Sequence, residues 1–239
     1  MGLGTLHLLP VPLADGDPEA VFPPDVRAQA RHLRHWIVET PKAARGHLKV
    51  LAPDVPISEH FLQELDKHRP ENNGKSLLQP CLEGHDMGLI SDAGVPGVAD
   101  PGARIVEAAH ALGIRVIPWV GPSSILLGLM ASGFNGQGFQ FHGYLPHDGH
   151  ERKKLWSAME RGIRDGQTQL FIETPYRNDK LMEELLTLPV DLHLCVACDL
   201  TAPSEYIKSQ SIAQWRKGAR PSLHKRPAIF LLGRPHRTL

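Results

Sequence analysis

Short apolar runs alternate with amphipathic stretches along the first half of the chain. The runs Thr5–Val11, Trp36–Glu39, Met87–Ile90 and Val116–Val120 predict strands, and the stretches 25–34, 58–68, 105–112 and 125–131 predict helices. In 58–68 the apolar residues Phe61, Leu62 and Leu65 fall on one helical face, with Ser58 as the N-cap. Strands that alternate with helices at this spacing are typical of parallel βαβ units. We therefore predict an N-terminal α/β domain with a mostly parallel sheet.

The second half of the chain has a different pattern. Strands are predicted at Phe139–Tyr144, Gln169–Glu173, Leu192–Leu200 and Ala228–Leu232, with helices from about Glu151 and over Asp179–Leu186. The segment Ser204–Ile212 alternates in short pieces without a clear crossover helix, which favours an antiparallel contribution to the sheet. Since the composition shifts at 135–138, we predict two α/β domains, 1–138 and 139–239, the second with a mixed sheet and a hinge near 143–149.

The segment from Gly88 to Pro101 carries the strongest local signal. Its apolar residues stop at Ser91, and the loop that follows contains Gly94, Gly97 and several prolines before a helical pattern begins. A strand, a glycine loop and a helix in this order form the ligand crevice of open α/β sheets, because glycine lets the backbone approach a ligand closely. The alternative is an ordinary turn without a ligand.

Two further segments are candidate sites. The turn Gly121–Ser124 opens a helix, and its N–H groups would either meet a polar ligand or simply be capped by the serines. Glu173 and Arg177 flank a proline turn at a strand end, where the carboxylate would act as a base or form a surface ion pair. Glu39 has a similar position in the related sequence 38–42. The scattered histidines do not predict a metal site.

Charge and cysteine content narrow the function classes. The chain has 239 residues and a formal net charge of zero, whereas proteins that bind through phosphates usually carry a basic excess. RNA binding would therefore need a local patch, for which Arg152–Lys154 and the basic residues of 216–226 are candidates. The three cysteines form no disulfide framework, and neither a leader nor a membrane-length apolar run is recognised. We expect a cytoplasmic protein without membrane contact.

Taken together, these blocks resemble the tetrapyrrole methylase superfamily of S-adenosylmethionine-dependent methyltransferases, in particular its ribosomal RNA small-subunit methyltransferase I branch. The resemblance extends over nearly the whole chain, and the joint order of its blocks is more specific than any one of them. The blocks are Ser91–Gly102, Gly121–Ser124, Ala131–Gly133, Phe139–Pro146 and Leu170–Arg177. The resemblance implies a ribose 2′-O-methyltransferase, usually a homodimer, with S-adenosylmethionine in a cleft between two α/β domains.

The resemblance also implies which residues bind the cofactor. They belong to the first turn, the glycine loop, the serine turn, the hinge and the last strand: Pro12, Leu13, Asp92, Ala93, Gly94, Val95, Val98, Ala99, Ser123, Ser124, Tyr144, Leu145, Pro227 and Ala228. The sulfonium is already activated, so the protein mainly has to align the acceptor and exclude water. A ribose acceptor also has a proton to lose, for which Glu173 is the predicted base, with Arg177 orienting it or contacting a phosphate.

Three blocks depart from the family pattern. The first lacks the family's glycine and asparagine at Ala14 and Asp15, the second has Glu39–Lys42 in place of glutamate-aspartate-threonine-arginine, and the late block has Lys225–Pro227 in place of lysine-glycine-glutamate. The departures leave two alternatives open. One is a catalytically silent homologue that keeps the cofactor pocket, and the other is a methyltransferase for a small molecule such as a tetrapyrrole.

Overall fold

The computed structural model describes residues 2–15, 22–66 and 74–234. Within these residues the chain forms two five-stranded sheets. The strands are β1 (Thr5–Leu8), β2 (His35–Val38), β3 (Phe61–Glu64), β4 (Met87–Ile90), β5 (Arg115–Pro118), β6 (Phe139–Tyr144), β7 (Thr168–Ile172), β8 (His193–Cys198), β9 (Tyr206–Ser211) and β10 (Ala228–Gly233). The helices are α1 (Pro24–His32), α2 (Pro41–Leu51), α3 (Gln79–Leu82), α4 (Ala103–Ala111), α5 (Ser124–Ser132), α6 (Gly149–Arg164), α7 (Asn178–Leu185) and α8 (Ile212–Lys217).

The first sheet is parallel throughout, which confirms the prediction. Its strand order is β3-β2-β4-β1-β5, and a helix lies between each pair of successive strands in the chain. Because neighbouring strands run the same way, their carboxyl ends lie at one edge of the sheet. The loops that follow β1, β2, β4 and β5 begin at this edge, where open α/β sheets bind ligands.

A tryptophan–glycine pair fills the centre of the first sheet. Trp36 on β2 lies opposite Gly88 on β4, and its side chain is fully buried. A Cβ atom at Gly88 would lie 2.3 Å from the Trp36 ring, so the indole occupies the space that any other residue at 88 would need. The glycine in β4 is therefore required by packing.

The second sheet is mixed, as predicted. Its order is β6-β7-β10-β8-β9, in which β6 and β7 are parallel and the remaining neighbours are antiparallel. Helix α5 packs on this sheet, since a Cβ at Gly128 would lie 2.8 Å from Ile229 Cγ2 on β10. A stack of Phe171 and Phe230, with ring centroids 6.0 Å apart, lies in the core beside α6 and α7.

The chain divides into two compact units at a helix boundary. The first unit comprises 1–123 and the second 124–239, because α5 packs on the second sheet. The change in composition at 135–138 instead predicts a domain boundary after this helix, at 138/139. The cofactor cleft expected between the domains stays a prediction.

The helix predicted at 58–68 is wrong over its described part. Residues Ile57–Glu59 form a single 3₁₀ turn, and Phe61–Glu64 form β3, which pairs with β2 at the edge of the sheet. Lys67 and His68 lie outside the described residues. A short apolar cluster satisfies both helical and strand periods, and sheet pairing decided the outcome. The helices α2, α3 and α8 were not predicted.

The cysteines are buried and reduced in this structure. Cys81 lies in the first unit, and Cys195 and Cys198 lie on β8 in the second. Burial raises the pKa of Cys81 and of Cys195 to about 12 and that of Cys198 to about 11. Their thiolates, the reactive forms, are therefore scarce at neutral pH.

Burial disfavours the protonated form of three histidines in the first unit. The indole N–H of Trp119 donates to His7 Nδ1 at 3.0 Å, and that of Trp36 donates to His60 Nδ1 at 2.9 Å. A nitrogen that accepts a hydrogen bond cannot carry a proton. Burial lowers the pKa of His7, His35 and His60 below the usual 6.5.

We predict that the free energy of unfolding decreases as the pH falls below about 6.5. The reason is that these histidines have a lower pKa in the folded protein than in the unfolded chain, so the unfolded chain binds more protons. The free energy of unfolding is fully retained above the pKa that histidine has in the unfolded chain. Below that pKa, each histidine can lower it by at most about 1.4 kcal/mol per pH unit. Urea unfolding at about pH 7.5 and at about pH 5.5 measures the loss. The variant His60→Asn keeps an acceptor without titrating, so an undiminished pH dependence in this variant would contradict the contribution of His60.

Candidate active site

The loop 91–102 folds on itself at the carboxyl end of β4. The Ser91 hydroxyl donates to the Ala93 carbonyl at 3.0 Å, and the Asp100 carboxylate accepts from the N–H groups of Gly97, at 2.9 Å, and Gly102, at 2.7 Å. Gly97 has a φ of +81° and a Cβ there would meet nothing within 4 Å, so the backbone at this point borders open space. The loop is fixed internally and offers its backbone to a ligand.

Asp100 is a structural member of this loop. Burial raises the pKa of its carboxyl group, the N–H groups of Gly102 and Gly97 oppose that rise, and the charges of Glu39 and Asp92 add to it. The carboxylate satisfies two backbone donors that would otherwise remain unpaired in a half-buried loop. We assign it to holding the loop.

Two residues that follow β2 and one residue of helix α2 support the same loop through their side chains. Thr40 Oγ1 donates to Asp92 Oδ2 at 2.7 Å, and the Asp92 N–H donates to Glu39 Oε2 at 3.1 Å. His47 Nε2 lies 2.9 Å from the Asp92 carbonyl, and since a carbonyl only accepts, this nitrogen is the donor. Glu39, Thr40 and His47 were absent from the predicted site. The parallel pairing of β2 with β4 was the signal that could have found the first two.

If the loop 91–102 holds the S-adenosylmethionine that the resemblance implies, Thr40→Val should weaken its binding, because Asp92 loses the hydroxyl that orients its carboxylate. One hydrogen bond to a charged group is worth about 1.5–3 kcal/mol, so the dissociation constant should rise roughly 5-fold or more. Isothermal titration of Thr40→Val and of Thr40→Ser, which keeps the hydroxyl, checks this. Equal affinity of the valine variant and the unchanged protein would show that Asp92 needs no such support.

The first turn and the serine turn pack against the glycine loop. The Val11 N–H donates to the Gly94 carbonyl at 2.9 Å, and a Cβ at Gly94 would lie 3.0 Å from Leu13 Cδ2 and 3.2 Å from the Pro122 carbonyl oxygen. Gly94 has a φ of +71°, which side chains rarely adopt. The structure thus brings the predicted segments 11–13, 92–99 and 121–123 to one edge of the first sheet.

The residues at this edge fit an S-adenosyl ligand in kind. Ala93, Gly94, Val95 and Ala99 are small or apolar, and 48% of the Val98 surface is exposed. Asp92 adds a carboxylate that a ligand ammonium or ribose hydroxyl would suit. This chemistry matches the cofactor that the resemblance implies.

One edge of the second sheet carries the predicted residues Tyr144, Leu145, Pro227 and Ala228, whereas Ser124 begins helix α5. Tyr144 pairs with Ile172 at the ends of β6 and β7, Ile172 pairs with Ile229 on β10, and Ala228 pairs with Cys198. Tyr144 is 61% exposed, whereas Leu145 is 2% exposed and belongs to the hydrophobic core. Leu145 could therefore contribute only backbone atoms to a ligand site.

Glu173 lies at the same edge, immediately after β7. Its side chain is 2% exposed, and its Oε2 atom lies 3.3 Å from Arg177 Nη2 and 3.8 Å from Arg152 Nη1. Oε1 accepts the Thr174 N–H at 2.9 Å, whereas Oε2 has no hydrogen-bond partner among the described residues. A buried acceptor without a partner is rare in folded proteins. Glu173 thus keeps one oxygen available for a donor, beneath Arg177.

Arg152 also contacts Glu173, although the sequence predicted it only as part of a basic patch. Its Nε donates to Glu184 Oε1 at 2.7 Å and its Nη1 to the Pro146 carbonyl at 3.1 Å. The side chain is 12% exposed, so Arg152 organises Glu173 and does not extend a surface patch with Lys153 and Lys154 as predicted. Arg177, the other arginine that contacts Glu173, also contacts His147 through its Nη1 atom.

The described part of the chain contains no group of three or more histidine, cysteine, aspartate or glutamate side chains arranged to hold a metal ion. No helix within 2–15, 22–66 and 74–234 is both long and apolar enough to span a bilayer.

The chain is similar to several bacterial proteins named ribosomal RNA small subunit methyltransferase I. The relative from Leptospira borgpetersenii is 33% identical over 190 residues, which cover 76% of this chain and 72% of the relative. The chain belongs to the ribosomal RNA small subunit methyltransferase I family. The Xylella fastidiosa member is 26% identical over 96% of this chain and 80% of its own length. For the Halalkalibacterium halodurans member, 34% identical, the match covers 58% of this chain and 47% of the relative.

The fold also matches the solved structure of a protein that does not carry the name of this family. The crystal structure of the methyltransferase CobJ superposes with a TM-score of 0.64 at 18% identity, covering 98% of this chain and 95% of that one. At this identity the match shows a common fold. No protein-family model matches the chain. Membership of a methyltransferase family confirms the enzyme class and the resemblance seen in the sequence.

Proposed function

We propose that this protein transfers a methyl group from S-adenosylmethionine to the 2′-hydroxyl of an RNA ribose. The observation that carries the proposal is the glycine loop 91–102, which the ends of β1 and β2 support through Val11, Glu39 and Thr40. The second block departs from the family sequence, and yet Glu39 and Thr40 still hold Asp92 in place. Support for the RNA acceptor comes from the names of the relatives.

Each group of residues has a separate task in the proposed reaction. When bound, S-adenosylmethionine supplies an electrophilic methyl group on a sulfonium. The loop around Asp92 and Gly94 holds the ligand, so that an acceptor oxygen can approach in line. Glu173 Oε2 accepts the hydroxyl proton, and the buried Arg152 keeps the carboxylate in position while Arg177 moves aside. Access to Oε2 requires Arg177 to swing toward solvent, where 35% of its side chain already lies.

The first experiment is a calorimetric titration with S-adenosylmethionine and with S-adenosylhomocysteine. The proposal predicts micromolar binding at about one site per chain, typical of enzyme ligands. Small-subunit ribosomal RNA is then incubated with protein and cofactor, and resistance of a single ribose to alkaline cleavage locates a 2′-O-methyl group. Binding without transfer would favour the silent homologue, and absence of binding would overturn the cofactor assignment.

We also propose a homodimer and a cytoplasmic location. Large apolar side chains are exposed in each unit, and Val120 at 72% and Met130 at 78% support a protein partner. The cytoplasmic location follows from a ribosomal acceptor. Light scattering coupled to gel filtration tests the dimer, and a monomeric mass across concentrations would exclude it.

A further inference from the structure

An exposed tyrosine lies beside Glu173 in the second unit. Residues Pro175–Arg177 form a 3₁₀ turn directly after Thr174, and Tyr176 in this turn is 69% exposed. An aromatic ring with so much surface in water contributes little to the core. Arg177 follows it in the same turn and keeps about a third of its side chain exposed, at 35%.

Two basic residues from a distant part of the chain border this ring. Lys225 Nζ lies over one face of the Tyr176 ring, 5.9 Å from its centroid, and the His224 ring meets the Tyr176 ring edge-on, with centroids 5.9 Å apart and an interplanar angle of 78°. The contact is fixed through the backbone, because the Lys225 N–H donates to the Pro175 carbonyl at 3.0 Å. Lys225 has a φ of +62°, a conformation that costs free energy in a residue other than glycine. Such strain persists only where the surroundings impose it.

The segment that carries these two residues is anchored on both sides. Arg226 Nε donates to Asp199 Oδ2 at 2.7 Å, and Asn178 Nδ2 donates to the Arg226 carbonyl at 2.7 Å. The Leu223 N–H donates to Asp179 Oδ1 at 2.8 Å. These hydrogen bonds hold residues 223–226 in place beside the turn. This part of the basic stretch 216–226 is therefore ordered and is not a freely solvated loop. A preorganised surface loses little entropy when it binds a ligand.

We propose that Tyr176, with Lys225 and Arg177, forms a stacking platform for a base of single-stranded RNA. The face of every base can stack on an aromatic ring, while cations beside the ring meet the phosphates. The chain as a whole has zero net charge, so RNA affinity must come from a local patch of this kind. The platform lies beside Glu173, where an acceptor nucleotide would be needed. This inference rests on the proposed RNA acceptor.

The test compares the full-length protein with Tyr176→Ala, Tyr176→Phe and Lys225→Ala. Binding of fluorescein-labelled oligoadenylate and oligouridylate of about ten nucleotides is measured by anisotropy across salt concentrations. Tyr176→Ala should weaken RNA binding by roughly 5- to 100-fold, and Tyr176→Phe should retain it because the ring remains. Lys225→Ala should reduce the slope of log affinity against log salt by about 1. Inorganic polyphosphate, added as a competitor, distinguishes phosphate contact from base stacking. Its ability to displace RNA should depend on Lys225 and not on Tyr176.

Phe139→Ala and Lys49→Ala are the matched controls. Phe139 is an aromatic residue 41% exposed on edge strand β6, and Lys49 is an exposed lysine on α2. Both variants should bind RNA as the unchanged protein does. Equal RNA affinity of Tyr176→Ala and the unchanged protein, or absence of RNA binding by the unchanged protein, overturns the platform. Titration of S-adenosylmethionine on the same preparations tests the proposed function separately, because Tyr176→Ala should leave that affinity unaltered.

Discussion

Replacement of Glu173 by glutamine is expected to lower the methyl-transfer rate by roughly 100- to 10,000-fold, the usual contribution of a positioned base. Glutamine has nearly the same shape, but its amide cannot remove a hydroxyl proton. Affinity for S-adenosylmethionine should stay within about twofold, because the substitution removes an interaction with the acceptor. Single-turnover transfer to RNA, measured beside calorimetric cofactor binding, gives both quantities.

Glu184→Gln is the matched control for this experiment. Glu184 pairs with Arg152 Nε, as Glu173 pairs with Nη1 of the same guanidinium, but its carboxylate lies on the side of Arg152 that faces Trp156. If Glu173 were only a structural ion-pair partner, Glu173→Gln would cost about 3–5 kcal/mol of unfolding free energy while the folded fraction kept its transfer rate. Urea unfolding of both variants therefore distinguishes a base from an anchor.

Replacement of Gly88 by alanine is expected to destabilise the first unit by about 1–3 kcal/mol or more, because the added methyl enters a filled space. Its carbon would lie 2.3 Å from Cε3 and Cζ3 of Trp36, far inside contact distance. Neither residue can move easily, since both belong to paired strands at the centre of the sheet. The midpoint of urea unfolding should fall while the slope stays constant.

Two further variants isolate the clash as the cause. Gly46→Ala places the same methyl on α2, where nothing lies within 4 Å, and should not destabilise the protein. Trp36→Leu in the Gly88→Ala background removes the ring that the methyl meets, so the double variant should be more stable than the sum of the single effects predicts. Strict additivity would mean that the two residues do not compete for space.

The regular alternation of the first half was enough to predict its parallel sheet. Buried strands such as Met87–Ile90 are continuous apolar runs, and their turns are marked by glycine and proline. Edge strand β3 was misjudged because its residues are half exposed and lack a decisive period. Helix α2 was not predicted. It begins at Pro41, directly after Glu39 and Thr40, and the sequence analysis interpreted this segment only as a motif and not as the start of a helix.

The site was predictable where it depends on local sequence. The sequence places Gly94 and Gly97 in the candidate ligand loop, and both have a positive φ in the structure. The contacts of Thr40 with Asp92, and of Lys225 with Tyr176, join residues far apart in the chain. Such contacts depend on strand order and on how a loop is anchored, which a single sequence does not specify. The segments 38–42 and 172–177 are also locally similar in the structure. Each glutamate directly follows a strand and lies two residues before a proline, which begins helix α2 in the first case and a 3₁₀ turn in the second.

The burial of all three cysteines makes this chain a convenient background for site-specific labelling. Maleimides react with thiolates, and pKa values of about 11 and 12 keep Cys198, Cys195 and Cys81 protonated at neutral pH. A single cysteine introduced at an exposed position such as Lys49 or Phe139 would be modified first, without prior removal of the native ones. A dye at either position would report on the surroundings of the unit that carries it when a ligand is added.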